Sequence, residues 1–166
     1  MVIYMGVKNK QNEEFRICEK ILYDYKNIDN EIEWCNMSIE HIKESDDFID
    51  LKAVQYDKDP VSSTNSFSSS VENAVIKRDK VISSYEKRIK QLEYTRKKVA
   101  IVLRMLSTSE LKLIELRYLS KEPLTWDQIG NAMGFCKDNC MIFRNKTIKK
   151  IIPYLEDIIF KNKQSE

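Results

Sequence analysis

Four cysteines and one histidine are the residue types in this chain that could hold a metal or carry redox chemistry. The cysteines are Cys18, Cys35, Cys136 and Cys140, and the histidine is His41. A tetrahedral zinc site needs four such ligands in paired short spacings, and the sequence has no CxxC pair. A single histidine also argues against acid–base catalysis. We therefore expect reduced, mostly buried cysteines and no cofactor.

Motifs for enzymatic chemistry are missing from the sequence. It has no Gly-rich phosphate loop, no nucleophile motif and no paired histidine ligands. Glycine and proline number only three each among 166 residues, about half the usual frequency. That is too few for the turns of a many-stranded β fold or of a βαβ enzyme. We therefore expect an all-α protein that is not an enzyme.

The chemistry of the chain is instead expected in binding, near the C-terminus. Two capping boxes mark helix starts there, Ser107 with Glu110 and Thr125 with Gln128. The second box opens a short helix, and a third helix is predicted from Lys137 to about residue 152. Two short helices in this order are typical of a helix-turn-helix.

The residues between and after these helices fit the same motif. Gly130 is small where two helix backbones must approach, and Gly134 can adopt the left-handed turn conformation without steric cost. Phe135 is expected to enter the core. The inward positions of the last helix are Cys140, Phe143, Thr147, Ile148 and Ile151. The pattern predicts a helix-turn-helix that offers its second helix to a DNA major groove. An ordinary corner between two helices is the alternative.

Two long helices are predicted to carry this segment. From 12 to 56, apolar residues recur at heptad positions, and only Asp46 interrupts them. A Ser-rich loop is predicted over 57–70 and a second heptad helix over 71–106, where Arg78 and Arg96 stand among the apolar positions. Pro153 is expected to end the last helix.

Charge segregates along the chain. Residues 1–60 carry a net charge of −6 and residues 61–106 carry +6, although the whole chain is only +2. This predicts an antiparallel helical hairpin, or coiled coil, with Arg78 or Arg96 facing Asp46. One hairpin leaves apolar surface uncovered, so we expect a homodimer or higher homo-oligomer. The predicted domains are an oligomerising hairpin over 1–106 and a helix-turn-helix domain over 107–160.

Residues 107–151 resemble region 4 of the bacterial sigma factors, which reads the −35 promoter element. The resemblance lies in S-x-x-E-x-K-L-I-x-L-R-Y, from Ser107 to Tyr118, and in L-T-W-D-Q-I-G-x-x-M-G-F-C, from Leu124 to Cys136. Together with the Ser-rich loop and the upstream helices, it makes the chain similar to the RinA/ArpU-type phage regulators. Those are small activators of phage late genes in Gram-positive bacteria. The resemblance implies double-stranded DNA as the ligand and host RNA polymerase as a further partner.

The resemblance also implies which residues contact DNA. The base-reading positions fall on Lys137, Asp138, Met141 and Ile142, where the sigma family mostly has Arg, Glu and Gln. Methionine and isoleucine offer only apolar contacts, for example to a thymine methyl group. Phosphate contacts are expected from basic residues on or near the outer face of the last helix and from the helix start at Thr125. Those basic residues are Arg144, Lys146, Lys149 and Lys150. The predicted DNA-binding set is Thr125, Lys137, Asp138, Asn139, Met141, Ile142, Arg144, Asn145, Lys146 and Lys149.

Three functions remain open from the sequence. The first is a DNA-binding transcriptional regulator of phage or prophage type. The second is a DNA-recognising adaptor of a packaging system, like a small terminase, or of a partition system. The third is a structural coiled-coil interaction protein. No membrane-spanning run or secretory leader is visible, so we expect a cytoplasmic protein of a bacterial host cell.

Overall fold

The computed structural model describes residues 2–44 and 66–163, and these residues are folded into helices with no strand among them. The all-α prediction is therefore confirmed. In chain order the helices are α1 (Val2–Tyr25), α2 (Ile28–Glu44), α3 (Ser66–Arg104), α4 (Thr108–Ile114), α5 (Trp126–Met133), α6 (Lys137–Ile151) and α7 (Glu156–Lys163). A π-helical turn, Glu115–Leu119, follows α4, and a 3₁₀ turn, Ile152–Tyr154, follows α6.

The predicted helix over 12–56 is interrupted at Lys26 and Asn27. The Asn27 N–H donates to the Asp24 carbonyl at 2.9 Å, which closes a tight turn and not a regular helical turn. Asparagine favours such breaks because its side chain competes for backbone hydrogen bonds. The helix restarts at Ile28 as α2. The predicted heptad positions from Asp46 to Tyr56 lie outside the described residues.

The second long helix begins earlier than the Ser-rich sequence predicts. α3 starts at Ser66, so residues 66–70 are helical and not part of a loop. Serine costs a helix only a few tenths of a kcal/mol per residue, and no glycine or proline lies between Ser66 and Arg104. The remaining positions of the predicted loop, 57–65, lie outside the described residues.

The chain forms two compact units. Unit 1 combines Met1–Asp29 with Glu93–Glu166, and unit 2 is Asn30–Leu92. The predicted domain boundary at residue 106 therefore falls inside unit 1. The functional division into an oligomerising segment and a DNA-binding segment remains a prediction.

Unit 1 is built around a continuous apolar core that joins the two ends of the chain. α1 contributes Cys18 and Leu22, and the end of α3 contributes Val99. The C-terminal helices supply the rest of its fully buried side chains: Leu113, Ile114, Tyr118, Ile148, Ile151 and Leu155. Pro153 lies in the 3₁₀ turn directly after α6, as predicted, and lets α7 fold back onto this core.

Unit 2 pairs α2 with the first part of α3. Glu31 forms an ion pair with Arg88 at 2.8 Å, and the Trp34 and Tyr85 rings meet edge to face with centroids 5.7 Å apart. The later residue of α2 contacts the earlier residue of α3, so the two helices run in opposite directions here. The charge segregation predicts such pairs between the acidic and basic segments.

Arg96 forms an ion pair with an acidic residue of α2. Its guanidinium pairs with Asp29 at 2.5 Å, within unit 1. The carboxylate raises the pKa of Arg96 by accepting this hydrogen bond. Asp46, the predicted partner, lies outside the described residues.

None of the helices that the structure describes is long and apolar enough to cross a lipid bilayer.

Candidate nucleic-acid interface

Helix α5 begins with the capping box that the sequence predicts. The Gln128 backbone N–H donates to the Thr125 hydroxyl at 3.4 Å, and the Thr125 N–H donates to the Gln128 side-chain oxygen at 2.9 Å. Ser107 and Glu110 form the same reciprocal pair at the start of α4. Both capping-box predictions are confirmed. Thr125 is exposed, so the first amides of α5 lie at the surface.

The turn between α5 and α6 is held by close backbone contact. Gly134 has φ 71° and ψ 29°, the left-handed conformation that the sequence predicts. The Phe135 N–H donates to the Gly130 carbonyl at 2.9 Å. A Cβ atom placed on Gly130 would lie 2.6 Å from the Phe135 carbonyl oxygen. Glycine is therefore required at position 130 for this close approach.

The prediction that Phe135 fills the core is wrong. Its ring is 42% exposed and contacts Phe143 edge to face, with centroids 6.1 Å apart. The group of Phe135 that packs against Gly130 is its backbone carbonyl and not its ring.

Helix α6 has one buried face and one exposed face. Cys140, Thr147, Ile148 and Ile151 are buried, and Phe143 packs against the core, as predicted. The opposite face is exposed and contains most of the predicted DNA-binding residues. These are Lys137, Asp138, Asn139, Met141, Ile142, Asn145, Lys146 and Lys149. The fold therefore brings eight of the ten predicted residues to one side of a single helix, and Thr125 at the start of α5 is exposed as well.

Arg144 is the exception, and its predicted place on the outer face is wrong. Its side chain is only 19% exposed and pairs with Glu19 of α1 at 3.2 Å. The guanidinium also lies over the rings of Phe15 and Trp126, 5.0 and 5.4 Å from their centroids. Arg144 therefore joins α6 to α1 and α5 inside unit 1.

Glu19 is a structural residue that the sequence reasoning missed. Besides Arg144, its Oε1 atom accepts a hydrogen bond from the buried Tyr118 hydroxyl at 2.5 Å. Burial raises the pKa of Tyr118 well above its ordinary value, and the bond to Glu19 raises it further. Tyr118 lies in the π-helical turn, where the Ser120 N–H reaches back to the Glu115 carbonyl at 2.9 Å. No local pattern in the sequence indicates this turn or the pairing.

Arg117 is a second residue that the predictions omitted. Its guanidinium lies 4.8 Å from the centre of the Trp126 ring and donates to the Leu124 carbonyl at 2.9 Å. This arrangement positions the start of α5. The motif R-Y followed by T-W contains both residues, but spacing alone does not place one over the other.

The lysines of α6 differ in whether an acidic side chain lies close enough to neutralise their charge. Lys150 forms a 2.8 Å ion pair with Glu110, and this bond, together with the capping contact to Ser107, lowers the pKa of Glu110. Lys137 lies 3.5 Å from Asp127. Within the described part of the chain, Lys146 and Lys149 have no ion-pair partner. The strongest unneutralised positive charge of α6 therefore lies in its second half.

The cysteines do not assemble into a metal centre within the described residues, where no three potential ligands lie together. Cys18, Cys35 and Cys140 are buried and Cys136 is exposed. Burial raises the pKa of Cys18 to about 12, and the nearby Glu19 adds to this effect.

Cys136 is the N-cap residue of α6, but its side chain makes no capping hydrogen bond. Sulfur is a weak acceptor, so we expect Cys136→Ser to stabilise unit 1 by about 0.5–1 kcal/mol. Thermal unfolding of both proteins, with and without a chelator and an oxidant, measures this. A lower melting temperature for the variant, or a chelator effect seen only in wild type, would contradict the capping explanation and favour a metal or redox role for Cys136 with Cys140.

The described residues define an all-α chain with two compact units, the first of which contains α5 and α6 joined by a tight turn. The chain belongs to the DUF722 family, whose description is "Protein of unknown function" and whose family model matches residues 16–153. No curated protein and no solved structure matches the chain significantly.

Proposed function

We propose that this chain is a sequence-specific DNA-binding transcriptional regulator of phage or prophage type, with α5 and α6 as its helix-turn-helix and no catalytic activity. The observation that carries the proposal is the exposed face of α6. It follows a tight glycine turn and contains amide and apolar side chains in its first half. Its second half carries Lys146 and Lys149, which have no ion-pair partner among the described residues. The resemblance of residues 107–151 to sigma region 4 supports the same function.

The division of labour along α6 fits the way such helices bind. The first turns of a recognition helix contact base edges, while residues further along contact the sugar–phosphate backbone. Lys137, Asp138, Asn139, Met141 and Ile142 are at the exposed beginning of α6. Thr125 presents the free amides of the α5 start, which suit a phosphate. Arg144 has an indirect role. Its ion pair with Glu19 fixes the angle between α6 and α1.

Genome-wide mapping of bound DNA tests the proposal in a host cell. Sites near the −35 elements of phage promoters are expected, together with contact to host RNA polymerase. Clustered sites at a packaging or partition locus would favour the adaptor function instead. Absence of salt-dependent DNA binding by the purified chain would favour a structural coiled-coil protein.

Lys146 and Lys149 should dominate the salt dependence of DNA binding. Each phosphate contact contributes about −0.9 to the slope of log affinity against log salt concentration. We therefore expect Lys146→Ala with Lys149→Ala to make that negative slope about 1.8 shallower and to weaken binding to all sequences alike. Fluorescence anisotropy on specific and random duplexes at several salt concentrations measures both effects.

Lys150→Ala is the matched control, since Lys150 is on the same helix but is already paired with Glu110. Its effect on the slope should be clearly smaller. An unchanged slope in the double variant would show that DNA does not contact this half of α6.

We further propose that the chain self-associates as a homodimer or higher homo-oligomer through α2 and α3. Unit 2 leaves large apolar side chains uncovered, including Trp34 at 60% and Met37 at 63% exposure. Val75, Ile76 and Val81 of α3 are exposed as well. Burial of apolar surface stabilises a complex by about 25 cal/mol per Å². Covering these side chains would therefore favour association with a second copy of the chain.

Sedimentation of the full chain with Met37→Lys tests this association. We expect an oligomer for wild type at tens of micromolar and a shift toward monomer for the variant. Met105→Lys, at a similarly exposed position of unit 1, serves as the control and should leave the oligomer intact. A monomeric wild-type chain would contradict the proposal. A fragment ending at residue 106 is unsuitable, because it would uncover the core that α1 shares with α6 and α7.

A further inference from the structure

We infer that α6 reads A·T base pairs through their thymine methyl groups, with Ile142 as the principal contact and Met141 beside it. This inference rests on the proposed DNA-binding function and names the class of sequence that the site accepts. It follows from which side chains of α6 are free to reach a base and which are held elsewhere.

The exposed apolar residues of α6 are the first observation. Ile142 is 53% exposed and Met141 is 37% exposed, whereas the opposite face of the same helix is packed in the core. Neither side chain contributes to that core, so packing does not explain them. In the major groove, the apolar group that a base pair presents is the C5-methyl group of thymine.

The second observation concerns the cations that usually read guanine. Arginine and lysine do so by donating to the O6 and N7 atoms of guanine. Arg144, the only arginine of α6, is turned inward to Glu19, with its guanidinium over Trp126. Lys137 lies beside Asp127 at 3.5 Å. Lys146 and Lys149, which form no ion pair within the described ranges, are placed further along the helix, where a recognition helix contacts phosphates.

Asn139 completes the preference for A·T pairs. Residues three apart on a helix are neighbours on one face, so Asn139 lies beside Ile142, and both are exposed. Asparagine can pair with the N6 and N7 atoms of adenine through both its donor and its acceptor. Asn139 and Ile142 together match the two distinguishing features of an A·T pair, adenine N6/N7 and the thymine methyl group.

Asp138 limits the rest of the site. A carboxylate at the start of α6 repels phosphates, and in the major groove it can accept from the N4 amino group of cytosine. Asp138 is exposed and lies one turn before Ile142. It therefore fits a C·G pair at the edge of the A·T core.

Uracil-substituted DNA tests the thymine contact directly. The full chain first selects its preferred duplex from a library with a random core, and single thymines of that duplex are then replaced by deoxyuridine, which removes only the methyl group. We expect an A·T core and, at one or two thymines, a loss of affinity of about three- to fivefold per methyl group, the value of one buried carbon. Ile142→Ala should abolish the difference between thymine and uracil at one of these positions.

Lys149→Ala is the matched control, because loss of a phosphate contact should weaken the thymine and uracil duplexes equally. Helical content by circular dichroism shows that both variants are folded. Specific binding without discrimination between thymine and uracil would overturn the thymine contact and leave the DNA-binding function standing. Discrimination that survives both Ile142→Ala and Met141→Ala would also overturn it. Absence of salt-dependent duplex binding by wild type would overturn the DNA-binding function itself.

Discussion

Replacing Glu19 with alanine is expected to destabilise unit 1 by about 2–4 kcal/mol, because it removes the acceptor of the buried Tyr118 hydroxyl and the carboxylate partner of the Arg144 guanidinium. The Tyr118 hydroxyl is fully enclosed and donates to Glu19 at 2.5 Å. The Arg144 guanidinium, only 19% exposed, would keep its charge but lose its carboxylate. Its hydrogen bonds to the Asn145 side-chain oxygen and its cation–π contacts with Phe15 and Trp126 remain, but they do not replace the lost negative charge.

The two tryptophans of the chain allow the stability of each unit to be measured separately. Trp34 lies in unit 2 and Trp126 in unit 1, so urea unfolding in a Trp34→Phe background lets Trp126 fluorescence report on unit 1 alone. Glu19→Gln should recover part of the loss, because its carboxamide oxygen can still accept from Tyr118.

Glu13→Ala is the matched control on the same helix. Glu13 is half exposed, and its partner Lys163 also contacts Glu14, so the unfolding midpoint should barely move. Equal losses for Glu13→Ala and Glu19→Ala would show that Glu19 is only one of several interchangeable surface charges.

Local signals in the sequence predicted the elements around the candidate interface. The capping boxes at Ser107 and Thr125 and the left-handed Gly134 were correct because residues within four positions of each other determine them. The buried positions of α6 were correct for a similar reason, since helical periodicity alone separates its two faces.

Features that depend on distant contacts were not predictable in this way. Arg144 has the charge and spacing of a surface residue, yet its environment is set by Glu19, 125 positions away in the chain. Likewise, the prediction of an inward Phe135 failed, since at this turn the backbone carbonyl of Phe135, and not its ring, packs against Gly130. The contribution of α1 to the core of unit 1 is also a tertiary contact between distant residues. Heptad spacing cannot indicate such a contact, and for this reason it assigned α1 wholly to the hairpin.

Gly130→Ala is expected to destabilise unit 1 by about 1–3 kcal/mol, the usual cost of overpacking. Alanine should gain about 1 kcal/mol over glycine in a helix, so only a steric conflict can reverse the sign. The new Cβ atom would lie 2.6 Å from the Phe135 carbonyl oxygen, a backbone atom that cannot rotate away. The turn must therefore shift, and with it the angle between α5 and α6.

Variants of Gly134 separate this steric effect from backbone strain. Nothing lies within 4 Å of a Cβ atom at Gly134, so Gly134→Ala suffers only from the left-handed φ of 71°, at about 1–2 kcal/mol. Asparagine tolerates that conformation, so Gly134→Asn should recover stability, whereas Gly130→Asn should be no better than Gly130→Ala. If the proposed interface is correct, Gly130→Ala should also weaken specific DNA binding more than Gly134→Asn does, because only the former changes how α6 is presented. A Gly130→Ala protein as stable as wild type would mean that α5 and α6 are not held at the distance that this turn requires.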